Sequence, residues 1–299
     1  ECLEKGYGDR KQEVATELAL HFEQGRDFHR TVQYLRHAAE NANQRCAYPE
    51  ALRHLTRALD VLKNLPDDPE RAQREILLQI TFGMSLMATK GYAAPEVKAA
   101  YNRARELCLQ IGEAPQLISA LRGLASFYYV RAEWQTVRDL NEQILTLVQQ
   151  QENPVLFLEI AQEVGGTLFS IGEFAEALHR FQQSILLYDA RTQCAHTGLS
   201  GQNLGVTGLS RASHALWFLG YADQALVKSE EAISLSRELT LPHSLAYALT
   251  FSAGFRLFRR EDQLAQRCAE EACRIATEHE FPIWATMGQI LSGSALVHQ

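Results

Sequence analysis

Residues 164–178 read Val164-Gly165-Gly166-Thr167-Leu168-Phe169-Ser170-Ile171-Gly172-Glu173-Phe174-Ala175-Glu176-Ala177-Leu178. The stretch reads as the end of one helix, a turn centred on Gly172, and the start of a second helix. Gly takes the left-handed conformation at little cost, so Gly172 is the natural stop. Gly165 is small enough to let two helices touch, and Leu168 fills the gap above it. Ala177 and Phe181 then fall on the inward face of the second helix.

The same pattern recurs on both sides. Val14, Leu18 and Phe22 mark a leading helix over about 11–24, closed by Gly25. Val32, Leu35, Ala38, Ala39 and Ala42 stripe a helix over about 28–45. Tyr48-Pro49-Glu50 opens the next, with Pro in the first turn where its missing N–H does no harm. Leu65-Pro66-Asp67-Asp68-Pro69-Glu70 is a polar loop before a helix over about 70–89. Val97, Tyr101, Ala104 and Cys108 share one face. Leu121, Leu124, Ala125 and Tyr128 lie on a helix over 116–131, and Glu133-Trp134 begins its partner. Asn153-Pro154, Leu241-Pro242 and Phe281-Pro282 each start a further helix. Between Arg191 and Gly208 four glycines crowd together, and each interior Gly costs a helix about 1 kcal/mol relative to Ala. That region reads as a long loop leading into a helix that ends at Leu219-Gly220.

Aligning the inward residue of each second helix gives Ala51, Val97, Val137, Ala177, Ala225 and Ala265, at steps of 46, 40, 40, 48 and 40 residues. The close-contact position of each first helix is Ala39, Ser85, Ala125, Gly165, Ser213 and Ala253. No large residue interrupts that series. Arg256 stands where Leu168 does and Ser229 where Phe181 does, so the later pairs are expected to pack less tightly. The expected fold is all-α: a right-handed α-α superhelix of about six helix pairs with extra terminal helices. It is read as a single solenoid over 1–299, with a leading helix (1–27), first repeats (28–190), a long loop (191–202) and later repeats (203–299).

The alternation of small close-contact residues resembles the tetratricopeptide repeat, although the period exceeds the usual 34 residues. Glu17-Leu18-Ala19-Leu20-His21-Phe22, Ala38-Ala39-Glu40-Asn41-Ala42, Tyr48-Pro49-Glu50-Ala51-Leu52, Gly201-Gln202-Asn203-Leu204-Gly205-Val206, Ala215-Leu216-Trp217-Phe218-Leu219-Gly220-Tyr221 and Phe258-Arg259-Arg260-Glu261 carry a further likeness. Together they resemble the C-terminal repeat region of bacterial STAND-type signalling ATPases, often fused to an adenylate/guanylate cyclase or a protein kinase domain. The maltose-regulon activator is a more distant relative. The resemblance implies a cytoplasmic sensor and scaffold that restrains an upstream ATPase until a partner binds. On that reading the chain, which opens on Glu1 and ends within a helix at Gln299, is cut from a longer protein.

Composition and motifs narrow the chemistry. A formal charge of -7 argues against a nucleic-acid backbone as the main ligand. No run of 18 apolar residues marks a membrane span. Cys2, Cys46, Cys108, Cys194, Cys268 and Cys273 form no C-x-x-C pair and read as small buried residues in a reducing compartment. There is no H-E-x-x-H, no G-x-S-x-G elbow and no G-x-x-x-x-G-K-[ST]. Cys194-Ala195-His196 is too sparse for a zinc set. The Gly-rich run 198–208 lacks the Lys-Ser/Thr and the preceding strand of a phosphate loop, so it reads as a turn. No cofactor and no catalytic residue is expected.

First helices line the concave groove of tetratricopeptide solenoids, so their polar and aromatic residues are the binding candidates: Arg122, Tyr128, Tyr129, Gln162, His214, Trp217, Tyr247 and Arg256. The Lys/Asn set with which chaperone-binding repeats hold a terminal carboxylate has no counterpart, because the first helices are nearly free of Lys. The expected function is a non-catalytic scaffold that binds a protein or peptide, including upstream domains of the same chain. Two readings stand beside it. One is a small-molecule sensor with its pocket near Trp217 and the 191–208 loop. The other is an all-α enzyme with catalytic side chains converging from distant helices.

Overall fold

The computed structural model describes residues 14–112, 114–151, 153–188 and 203–297. The regular elements among them are α-helices: α1 (Ala15–Gln24), α2 (Phe28–Gln44), α3 (Tyr48–Leu62), α4 (Pro69–Lys90), α5 (Pro95–Ile111), α6 (Ala114–Val130), α7 (Trp134–Gln149), α8 (Pro154–Ser170), α9 (Phe174–Leu187), α10 (Leu204–Phe218), α11 (Ala222–Glu238), α12 (Pro242–Phe258), α13 (Asp262–Glu278) and α14 (Pro282–Val297). The chain divides into two compact units, Glu1–Leu147 and Val148–Gln299.

In the N-terminal unit α1 to α6 each pack on the next in sequence, as do α8 to α14 in the C-terminal unit, and first helices also touch the first helix of the following pair: α4 meets α6, α8 meets α10, α10 meets α12 and α12 meets α14. This places the first helices on the inner side of each stack. Helix α1 packs on α2, and α14 packs on α13. The architecture is a tetratricopeptide-like helical repeat, with α2 to α13 forming pairs and α1 and α14 flanking them. Ala51, Ala177, Ala225 and Ala265 are fully buried, and so are Ala39, Ser85 and Ala253. Apolar stripes at helical spacing thus meet helices on two sides.

The tightest contacts are a ring set against a glycine. In the N-terminal unit the Tyr101 ring of α5 lies between Gly83 of α4 and Gly123 of α6; a Cβ at these glycines would stand 2.6 and 2.4 Å from it. In the C-terminal unit Phe181 of α9 fills the notch at Gly165, where a Cβ would stand 2.5 Å from the ring. Burying such a ring contributes about 1.5–3 kcal/mol.

Most of the turns share one hydrogen-bond scheme. The N–H of Ala47, Glu133, Glu173, Tyr221 and Glu261 donates to the carbonyl five residues back, on Ala42, Tyr128, Leu168, Leu216 and Arg256. The residue just before each donor has positive φ: Cys46 (58°), Ala132 (56°), Gly172 (85°), Gly220 (88°) and Arg260 (61°). This closes the last helical turn in a Schellman-type cap. The same bond closes the turns at Asp27, Leu241 and Phe281, after Arg26, Thr240 and Glu280, so only two of eight such positions are glycine and the conformation is not marked by glycine elsewhere. Cys46 sits at one such turn and is exposed, which corrects the expectation of a buried thiol; Cys108 is buried, and Cys268 and Cys273 are half-buried.

The Gly-rich run departs from its reading as a turn or loop. Residues 189–202, with Gly198 and Gly201, lie outside the described residues, but Gly205 and Gly208 are inside α10. Asn203 caps this helix, its side chain accepting from the N–H of Gly205 and Val206, while its own N–H donates to Ser244 Oγ at 2.9 Å. Gly205 admits the Tyr188 ring, and Gly208 admits Ser184; a Cβ at Gly205 would stand 2.5 Å from the ring. The intrinsic cost of two helical glycines is offset by this close packing. Ser229 is buried, and in the same unit the fully buried Phe255 of α12 packs with Leu216 and Ala225.

Candidate functional site

The candidate binding residues fall into two groups, one in each unit. In the N-terminal unit Arg122 is half-buried on α6. Tyr128, one and a half turns on, packs edge-on against Phe127, and Lys98 Nζ lies 5.1 Å from its ring centre. Tyr129 is exposed and meets the Trp134 edge at 5.2 Å. The equivalent pair one repeat later is Phe169 and Phe174, also 5.2 Å apart.

In the C-terminal unit the candidates join into one network. Gln162 of α8 is buried, and its amide donates to Ser184 Oγ on α9 (3.0 Å) and to the Leu204 carbonyl on α10 (2.6 Å). Arg211 of α10, which sequence reasoning did not single out, donates to the Gln162 carbonyl (2.9 Å) and to the Tyr247 hydroxyl on α12 (3.3 Å). Gln162 and Tyr247 therefore tie helices together rather than face outward. Burial pushes the Tyr247 hydroxyl up from its ordinary pKa, and Arg211 opposes this.

Tyr247 stacks on Phe251 at 4.3 Å and meets Trp284 of α14 edge-on at 5.2 Å. His214 lies 5.1 Å from Phe251, and its Nε2 is 2.9 Å from the Phe251 carbonyl. That geometry fits a neutral imidazole donating through Nε2. Burial lowers the His214 pKa, and the carbonyl contact opposes the shift. Trp217 is half-buried with its edge on Phe255. The rings continue through Phe258 and Phe218, 5.5 Å apart and both about half exposed, to Phe174 stacked on Phe218 at 4.8 Å. Arg256 points elsewhere, pairing with Glu261 at 2.7 Å and Glu230 at 3.5 Å.

This arrangement offers rings, an imidazole and a guanidinium along successive first helices. Among the described residues no group of three or more His, Cys, Asp or Glu side chains is placed to hold a metal ion, and no helix is long and apolar enough to cross a membrane. Arg211 left no motif to find, because a lone Arg on a helix acquires its meaning only from the neighbours the fold supplies.

No protein-family model matches the chain, and no curated protein matches it by sequence. Solved structures do. Apo RapI is similar over 89% of this chain and 98% of its own, with a TM-score of 0.64 at 11% identity. A signal transduction ATPase with numerous domains (STAND protein) with a tetratricopeptide repeat sensor, from Pyrococcus horikoshii, is similar over 96% of this chain with a TM-score of 0.63 at 14% identity. The chain spans 43% of that protein's length. A Rap protein complexed with competence and sporulation factor is similar over 90% of this chain and 76% of its own, with a TM-score of 0.56 at 11% identity. At these identities the likeness shows the fold: the chain has the architecture of tetratricopeptide-like helical repeat proteins.

Proposed function

We propose that the chain is a non-catalytic sensor and scaffold that binds a peptide or protein segment along its first helices. The observation that carries this reading is the ring network of the C-terminal unit, running from Phe174 to Trp284 across α9, α10, α12 and α14 and exposed at Phe218 and Phe258. Aromatic side chains that are only half covered are the usual anchors of binding surfaces. The fold likeness to a Rap protein in complex with competence and sporulation factor supports the same direction. The finer reading is regulatory: partner binding changes the packing of successive first helices and so alters an ATPase or cyclase module acting in the same protein. The likeness to a STAND protein with a repeat sensor supports it.

The test places a photo-cross-linking residue at Phe251 or, as a control, at the exposed Val227 of α11. Cross-linking of the native partner from position 251 and not from 227 is expected. The reverse pattern would refute the inner face as the binding surface. For the regulatory step, the recovered partner is added at saturation to the longer protein. A change in its nucleotide turnover is expected, and unchanged turnover would remove the regulatory role.

A further inference from the structure

Helix α14 buries one side and leaves the other uncovered. On the covered side Gly288 seats against α13, where a Cβ would stand 2.9 Å from the Ala269 carbonyl, and Ala295 is fully buried. Trp284 turns toward α12, its indole N–H donating to His243 Nε2 at 3.1 Å. The opposite side exposes Ile283, Met287, Ile290, Leu296 and Val297, each by between 40% and 83%. An apolar patch of this kind on one helix marks an interaction surface. Gly293 lies on the same side, and a Cβ there would meet nothing within 4 Å. It stands 40 residues after Ala253, in phase with the close-contact positions of the other first helices. At the equivalent Gly165 the notch is filled by the Phe181 ring; at Gly293 it is open.

Two features say what covers this face. The first is charge. Alone among the described helices, α14 has no Asp, Glu, Lys, Arg or His. It offers nothing to a charged partner and nothing that repels a copy of itself. The second is spacing. Ile283, Ile290 and Val297 recur every seven residues, with Thr286 and Gly293 three residues after the first two. These are the a and d positions of a heptad.

We infer that the outer face of α14 takes a second copy of this chain, the two α14 helices lying antiparallel about a two-fold axis. An antiparallel pair sets the a positions of one helix against the d positions of the other. With the axis midway between Ile290 and Gly293, Ile290 of each copy enters the Gly293 notch of the other, and Val297 lies over Thr286. The same patch thus supplies both the knob and the notch, as a two-fold interface requires. One helix of 16 residues from each copy is about 24 Å long. Such a pair buries less than about 1,200 Å² in total, the range of transient complexes, so association is reversible and micromolar. Trp284 and the rings behind it lie on the other side of α14, and the dimer leaves them uncovered. The inference therefore stands apart from the peptide-binding reading.

The experiment is sedimentation equilibrium of the full chain over about 1–200 μM, a range that brackets micromolar dissociation. A reversible monomer–dimer equilibrium is expected. Ile290→Glu sets a carboxylate from each copy beside the axis and is expected to weaken association about a hundredfold. Gly293→Leu fills the notch and is expected to weaken it about tenfold. Its melting temperature at the lowest concentration is expected not to fall, because nothing in its own chain stands within 4 Å of the new Cβ and Leu favours a helix over Gly. Val227→Glu charges a comparably exposed apolar side chain on α11 and is expected to leave association unchanged. In a mildly oxidised mixture of Thr286→Cys and Val297→Cys chains, mass spectrometry is expected to find a disulfide joining 286 to 297. A monomer at every concentration would overturn the inference and give the face to a different occupant. A dimer that Ile290→Glu leaves intact, or that Val227→Glu weakens as much, would also overturn it. Disulfides formed only between like positions would overturn the antiparallel arrangement.

Discussion

Gly165 shows how much of this fold hangs on the absence of a methyl group. Its Cα faces the Phe181 ring so closely that a Cβ would stand 2.5 Å from Cε1. Helix propensity favours Ala over Gly by about 1 kcal/mol, so Gly165→Ala would stabilise an isolated helix. Within the pair the clash wins, because overpacking costs about 1–3 kcal/mol. Gly165→Ala is therefore expected to lower the urea midpoint, and adding Phe181→Leu to recover part of the loss. A rise in the midpoint of the single variant would contradict the packing. His214 makes a second test. Its pKa is lowered by burial, so the unfolded chain binds more protons than the folded one between the native value and about 6.5. Stability from this group is fully present above that window and falls as pH drops through it, by at most about 1.4 kcal/mol per pH unit. Chemical denaturation at pH 7.5 and 5.5 is expected to show a smaller loss on acidification for His214→Gln than for wild type. Equal losses would refute the assignment.

At the scale of elements, the helices and the places where they turn were legible, but the backbone conformation of several turns was not. Stripes such as Ala51, Leu55, Ala58 and Leu62 are all buried as their spacing predicts. The turn after α8 was legible because Gly172 marks it, whereas the same backbone is adopted by Ala132 after α6 and Arg260 after α12. Those residues accept positive φ because the five-back hydrogen bond and the next helix fix the chain. Ala132→Gly is expected to raise the melting temperature, since it relieves a left-handed conformation worth about 1–2 kcal/mol against part of the Gly entropy cost. A lower melting temperature would show that the turn is not strained. Gly205 and Gly208 misled in the opposite sense: glycine there serves helix contact, not a loop, and only Tyr188 and Ser184 in place reveal it. The start of α10 is held through Gln162, whose amide donates to the Leu204 carbonyl. Gln162→Leu leaves that buried carbonyl without its side-chain donor, a loss of about 1–3 kcal/mol. Amide exchange is expected to speed up at the beginning of α10 more than in α12. Uniform acceleration would mean that the bond has no local role.

Across the whole chain, the phase of small residues is the thread: first-helix positions Ala39, Ser85, Ala125, Gly165, Ser213 and Ala253 keep the same spacing as their second-helix partners. That periodicity made the repeat class readable, because each pair can bury its apolar face only against its neighbours. The proposed binding face was less readable. His214 and Trp217 were picked as aromatic residues on a first helix, but Gln162 and Tyr247 proved to be buried struts, and Arg211 emerged only from the contacts of three helices. A solenoid's ligand chemistry lies in which side chains the stack aligns, and one sequence does not display that alignment. The most direct test of the account is hydrogen–deuterium exchange of the full chain with and without a saturating peptide or protein partner. The account predicts added protection in α10 and α12, around Phe218, Phe251 and Phe258, with α11 and α13 little changed. Protection concentrated on α11 and α13 would contradict it.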